Sequence, residues 1–146
     1  MAEAAGVGVL DASVAVKLVV NEPGTPESVG LIEQPVRWLA PRLLVTEVAS
    51  ALRRKAEGGD LSPLHATSAL AALLDAVDDG VIRLAQDEEL APAALTLALT
   101  LGHKVPDCVY LALAEREGAV LASADRKLIA AARSRGVLVT EVPSSW

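Results

Sequence analysis

The chain has 146 residues, 52% of them apolar, and a formal net charge of −6. That length suits one domain with a real core, and ordinary Gly and Pro counts argue against disorder. With no Phe, one Tyr and two Trp it lacks the rings for stacking bases, and its acidity excludes a broad basic footprint on duplex nucleic acid.

Residues 7–10 form a short apolar run ending at Asp11, which reads as a buried strand. Residues 13–20 look helical until Glu22, Pro23 and Gly24 break the pattern. Thr25 followed by Pro26 is the signature of an N-cap with proline in the first turn, opening a helix to about Glu33. Residues 38–40 are too short an apolar stretch to assign. Residues 43–57 are helical and stop at Gly58 and Gly59. Ser62 and Pro63 repeat the cap-plus-proline signal for a helix ending at Gly80, and residues 81–84 read as a strand. A helix through Ala93 to Leu101 closes at Gly102, and Pro106 opens another to Glu117 and Gly118. A strand at 119–123, a helix at 126–135 and a strand at 137–142 complete the chain.

Strands separated by helices imply an α/β fold, with a parallel sheet covered on both faces. No linker or repeat interrupts it, so residues 1–146 are expected to form a single domain. In such sheets ligands bind beyond the C-terminal ends of the strands. Asp11 follows the first strand and Asp125 follows the strand ending at Ser123, so both belong on that rim. Each also precedes a helix, where an acid serves equally well as an N-cap.

Asp107 lies in the first turn of the helix at 106–117, which is apolar nearly all round through Val109, Leu111 and Leu113. Such a helix is buried, and a carboxylate at its mouth needs a partner or a cation. Glu47 stands at the margin of the apolar arc Leu44, Val45, Val48, Leu52. With Ser50 and Ala51 at i+3 and i+4, no local ion pair explains it, and position alone leaves it open between a site and a solvated face. Asp75, Asp78 and Asp79, and again Asp87, Glu88 and Glu89, are charge runs at element ends and read as solvated surface.

Other chemistries find no support. Cys108 has no adjacent histidine and reads as a small core residue, while His65 and His103 lie in different elements without zinc spacing. There is no glycine-rich phosphate loop and no serine elbow. Asp11-Ala12-Ser13 lacks the second acid of a haloacid-dehalogenase phosphatase. One cysteine permits no intrachain disulfide and fits a reducing cytosol. Residues 1–6 carry Glu3 and no basic stretch, so no export signal is expected. No apolar run reaches the roughly 18 residues that cross a bilayer. A cytoplasmic protein off the membrane is expected.

Four segments taken together resemble the PIN-domain family, and within it the VapC-type toxins of toxin–antitoxin pairs. They are Leu10-Asp11-Ala12-Ser13-Val14-Ala15-Val16-Lys17, Thr46-Glu47-Val48-Ala49-Ser50-Ala51-Leu52, Pro106-Asp107-Cys108-Val109-Tyr110-Leu111-Ala112-Leu113-Ala114 and Ser123-Ala124-Asp125-Arg126-Lys127-Leu128. Each is short, but their order and element types match from Val9 to Val142. The resemblance implies a three-layer α/β/α domain around a central parallel sheet. It also implies an acidic pocket of Asp11, Glu47, Asp107 and Asp125 that binds Mg²⁺ or Mn²⁺ and cleaves RNA, with Ser13 and Ser123 supporting it. Pro106 departs from the family, which often has an aromatic residue there.

Under this resemblance Asp11, Asp107 and Asp125 are direct ligands, and Glu47 is a ligand or the base that orients the attacking water. Carboxylate oxygens suit such hard cations, which activate water and offset charge on the scissile phosphate. A homodimer and a cognate antitoxin protein are the implied partners. The alternatives are a PIN nuclease for RNA maturation, a Mg²⁺-binding receiver-like signalling domain, and a non-catalytic binding module on the same scaffold. For a receiver, Ala85-Gln86-Asp87 after the strand at 81–84 is a poor acceptor site.

Overall fold

The computed structural model describes residues 6–145; residues 1–5, which carry most of the export-signal expectation, and Trp146 lie outside them. Five strands, β1 (Gly6–Leu10), β2 (Val36–Pro41), β3 (Ile82–Ala85), β4 (Val120–Ser123) and β5 (Val139–Glu141), form one sheet. Its order is β3-β2-β1-β4-β5 and every pairing is parallel. Helices α1 (Ala12–Val19), α2 (Thr25–Ile32), α3 (Leu43–Glu57), α4 (Pro63–Asp78), α5 (Asp87–Leu101), α6 (Val105–Glu117) and α7 (Arg126–Ser134) flank it. The expected α/β class and parallel sheet are what the chain adopts.

From β1 the chain winds outward through β2 to β3, then returns across the sheet to continue through β4 and β5. The order therefore reverses between β1 and β4, the place where an open parallel sheet leaves a crevice at its carboxyl edge. Leu10 is in register with Ala122, and the Asp11 N–H donates to the Ala122 carbonyl at 3.2 Å. Asp11 and the residues following Ser123 thus leave the sheet side by side. Behind them α6 supplies the wall, with eight consecutive buried residues from Asp107 to Ala114. That is the all-round burial its apolar sequence demands.

Four local expectations need correction. β2 was not assigned from sequence. It pairs with both β1 and β3, and Gly8 of β1, opposite Trp38, leaves room for the indole; a Cβ there would stand 2.6 Å from Trp38 Cζ3. α5 begins at Asp87 rather than after Pro92, which sits exposed inside the helix. The missing N–H of Pro92 costs one bond, and the acidic first turn favours the earlier start. Thr25 is not an N-cap. Gly24 is, at φ 92°, and the Thr25 hydroxyl instead donates to the Val20 carbonyl and accepts from the Glu22 N–H. A side chain at Gly24 would be strained at that φ and would strike the Pro143 carbonyl.

The fourth concerns Asp87. It is not merely solvated, because its Oδ1 accepts the Leu43 N–H at 3.1 Å and so caps α3 from 44 residues away. Asp75, Asp78 and Asp79 are exposed, as expected, and Cys108 is fully buried.

Candidate active site

Asp11 is the most enclosed of the four acids, 4% exposed. Its Oδ1 accepts the Ser13 hydroxyl at 2.5 Å and the Val14 N–H at 3.2 Å, and its Oδ2 accepts the Ser123 hydroxyl at 2.5 Å. It is therefore an N-cap of α1 and a rim residue at once. The two serines in turn fix the opposite strand end. Ser13 Oγ accepts the Ala124 N–H at 2.9 Å, and Ser123 Oγ accepts the Asp125 N–H at 3.0 Å. This web locks β1–α1 to β4–α7 across the crevice. Ser13 and Ser123, expected as supporting residues, both donate to Asp11.

Burial pushes the Asp11 carboxyl up to about 6 from an ordinary 3.8. The two serine hydroxyls and the Val14 N–H pull it down, and the Asp125 charge adds to the rise. Asp125 caps α7, accepting the Lys127 and Leu128 N–H groups at 2.9 and 3.3 Å on Oδ1 alone. Asp107, 8% exposed, lies in the first turn of α6. Its Oδ2 is buried without a hydrogen-bond partner, with His103 Nε2 at 3.6 Å and Lys104 Nζ at 3.9 Å. Burial raises its proton affinity; Lys104 opposes this and the charge of Asp125 adds to it.

Glu47 is half-buried on α3, and Tyr110 of α6 donates to its Oε1 at 2.5 Å. Burial raises this carboxyl, the tyrosine lowers it, and Asp107 raises it again. In return, burial and the Glu47 carboxylate push the Tyr110 phenol far up, so it stays a donor. The four acids thus share one electrostatic neighbourhood. Among the described residues no three acidic, histidine or cysteine side chains stand grouped as in a closed metal cage.

The donor set nonetheless fits a hard divalent cation. Asp107 Oδ2 is an orphaned buried oxygen, and no side-chain bond of the described residues ends on Asp125 Oδ2 or Glu47 Oε2. All of these are oxygen ligands of the kind Mg²⁺ and Mn²⁺ take.

Three further neighbours of the acids have no site role in the sequence reading, His103 being weighed there only for zinc. Tyr110 follows Asp107 by three residues, a spacing that shares a helix face, while His103 lies in the loop just before α6. Lys104 pairs with Asp107 at 3.9 Å and its charge also acts on Glu47. Among the described residues no helix is long and apolar enough to cross a membrane.

Comparison with known proteins agrees with this architecture. A family profile, PIN domain, matches residues 8–134. PAE2754 from Pyrobaculum aerophilum superposes with a TM-score of 0.69 at 21% identity, over 92% of this chain and 89% of that one. VapC20 of Mycobacterium tuberculosis, a sarcin–ricin loop cleaving toxin, gives 0.65 at 16% identity over 85% and 94%. VapBC2 from Rickettsia felis, bound to a DNA fragment from the promoter, gives 0.61 at 11% identity over 93% and 98%. No curated protein matches by sequence. These identities speak to the fold alone. Since the profile spans most of its length, the chain belongs to the PIN-domain family, whose members are typically metal-dependent nucleases.

Proposed function

We propose that this chain is a Mg²⁺- or Mn²⁺-dependent endoribonuclease and the toxin of a type II toxin–antitoxin pair, acting as one domain in the cytoplasm. The observation that carries the nuclease reading is the serine web holding Asp11 and Asp125 together at the sheet's switch point, with the bare Asp107 Oδ2 nearby. Asp11, Asp107 and Asp125 would hold the cation, joined by Glu47 directly or through water. When bound, the ion supplies a more acidic water and offsets charge on the scissile phosphate.

The protein's own part is placement and proton transfer. Ser13 and Ser123 hold both Asp11 oxygens in one orientation, so the carboxylate is preorganised rather than recruited on binding. Tyr110 pins Glu47 by Oε1 and leaves Oε2 outside that bond. As water adds to phosphorus and the P–O bond to the leaving oxygen breaks, Glu47 Oε2 takes the water's proton. The raised proton affinity of Glu47 suits that role. The leaving oxygen collects its proton from solvent.

The toxin half rests on likeness to VapC20 and to the VapBC complexes, and it implies an antitoxin that lays a basic side chain among these acids. An arginine guanidinium could bond them bidentately and exclude the cation. A homodimer would give cover to exposed apolar residues such as Leu64 on α4 and Leu95 and Leu99 on α5.

The test is cleavage of single-stranded RNA with Mg²⁺ or Mn²⁺, its loss in EDTA, and its loss in Asp107→Asn. Cutting that persists in EDTA or survives that substitution refutes the nuclease reading. Expressing the chain with and without its neighbouring reading frame tests the rest. A chain harmless alone, yet active in vitro, leaves a nuclease for RNA maturation.

A further inference from the structure

A groove of about 540 Å³ opens beside the acids and runs between α1 and α3. One end carries Glu47, Ser13 and Lys104; the other carries Lys17, Glu22, Arg54 and Lys55. Its charged lining is four cations against two acids, in a chain whose net charge is −6. The local sign is thus opposite to that of the whole protein.

The cations are held there by the fold. Glu22 sits in the tight loop that Gly24 permits, mostly buried. Its two oxygens take Lys17 Nζ at 3.1 Å and Lys55 Nζ. One carboxylate thus holds two ammonium groups side by side and leaves a surplus positive charge. Arg54 is exposed and takes part in none of the ion pairs among the described residues. It lies seven positions after Glu47, two turns along α3 on the same face, and so about 10 Å further along the helix. Its place in the last turn, with Lys55, also sets both at the end of α3 that favours cations.

We propose that this groove is the track of the RNA backbone on one side of the cut, with Arg54 and Lys55 contacting phosphates next to the scissile one. This deepens, and rests on, the nuclease reading above. It also answers how so acidic a chain holds a polyanion without aromatic platforms: contacts concentrate in one channel that leads to the acids. Backbone contacts of this kind position a strand without reading its sequence. Glu22 acts as a positioning residue, keeping Lys55 over the groove rather than loose in solvent.

The test is binding, separated from cleavage. Asp107→Asn protein in Mg²⁺ is titrated with a short fluorescein-labelled single-stranded RNA over a salt series. Each phosphate contact on a single strand adds about 0.7 to the slope of log affinity against log salt. In that background Arg54→Gln is expected to flatten the slope by about 0.7 and weaken binding about five-fold at about 0.1 M salt. Lys55→Gln should do the same, Arg54→Lys should restore the slope, and Arg53→Gln, one residue away and paired with Glu57, should change neither quantity. Circular dichroism checks that Lys55→Gln, which loosens Glu22, remains folded.

Arg54→Gln and Lys55→Gln behaving like Arg53→Gln would overturn the proposal, as would a parent protein that binds no RNA. If the unmodified chain cuts RNA in an EDTA-sensitive way while Arg54→Gln binds normally, the groove alone fails. If the predicted slopes appear and no cutting is found, the groove stands as an RNA-binding channel alone and the nuclease reading falls, with the scissile phosphate it supposes.

Discussion

Replacing Asp11 by Asn should make the metal-free protein more stable, and by an amount that depends on pH. Asp11 ordinarily titrates at 3.8, and burial lifts it to about 6 in the folded state. Below 3.8 the group is protonated whether folded or not, so it contributes no pH dependence there. Between 3.8 and 6 the folded state holds the proton and the unfolded state has released it, so stability falls as pH rises. Above 6 the loss is complete. A difference of about 2.2 units at 1.36 kcal/mol each comes to about 3 kcal/mol.

Asparagine keeps the shape, and its carbonyl oxygen can still accept from Ser13 and the Val14 N–H. Asp11→Asn in EDTA should therefore gain up to about 3 kcal/mol over the wild type at pH 8 and little near pH 4. For a chain of this size that is about 6–12 °C in Tm. Urea or thermal unfolding of both proteins in EDTA across this range reads the difference. A gap that is constant with pH, or widest at low pH, would refute the burial argument.

The same carboxylates should respond to metal: Mn²⁺ at about 100 times its Kd should stabilise the wild type by about 2.7 kcal/mol, and a Tm indifferent to millimolar Mn²⁺ would count against the cation. Tyr110→Phe removes the donor to Glu47 Oε1 without opening a cavity, so kcat on RNA should fall about ten-fold or more with KM nearly unchanged; a change confined to KM would show that the tyrosine does not position the base. Gly8→Ala drives a methyl against the Trp38 ring and should cost about 1–3 kcal/mol, visible in urea unfolding followed by tryptophan fluorescence. An unchanged midpoint would mean that the indole has room to move.

What the sequence made legible was whatever depends on neighbours along the chain. Strand β1, helices α3 and α4 and the glycine stops after them are runs and punctuation, and they lie within a residue or two of where pattern puts them. The misses depend on partners far away. β2 is a short stretch with an arginine and a terminal proline, and it is held as a strand by β1 and β3 on either side, with Gly8, 30 residues earlier, admitting Trp38. Asp87 looks like one of three solvated acids until Leu43, 44 residues back, is seen to lack any other N-terminal cap. Thr25 carries the composition of a cap, but a positive φ at Gly24 moves the cap one residue earlier and turns the hydroxyl inward.

The acids at the rim show why a site of this kind is hard to read from one chain. Asp11 and Asp125 do what the ordinary interpretation expects, each bonding N–H groups at the start of its helix. Capping uses only part of each group's capacity. Asp11 Oδ2 turns to Ser123, and Asp125 Oδ2 takes none of the capping bonds. A carboxylate has about four acceptor positions, so one residue can end a helix and still present an oxygen to the crevice. Structural and chemical roles are therefore not competing explanations at these two positions. The cap fixes the backbone at the carboxyl end of β1 and of β4, and that fixed backbone is what allows the remaining oxygens to be aimed. Glu47 and Asp107, which cap nothing, obtain the same fixity differently, through the phenol of Tyr110 and through burial beside His103 and Lys104.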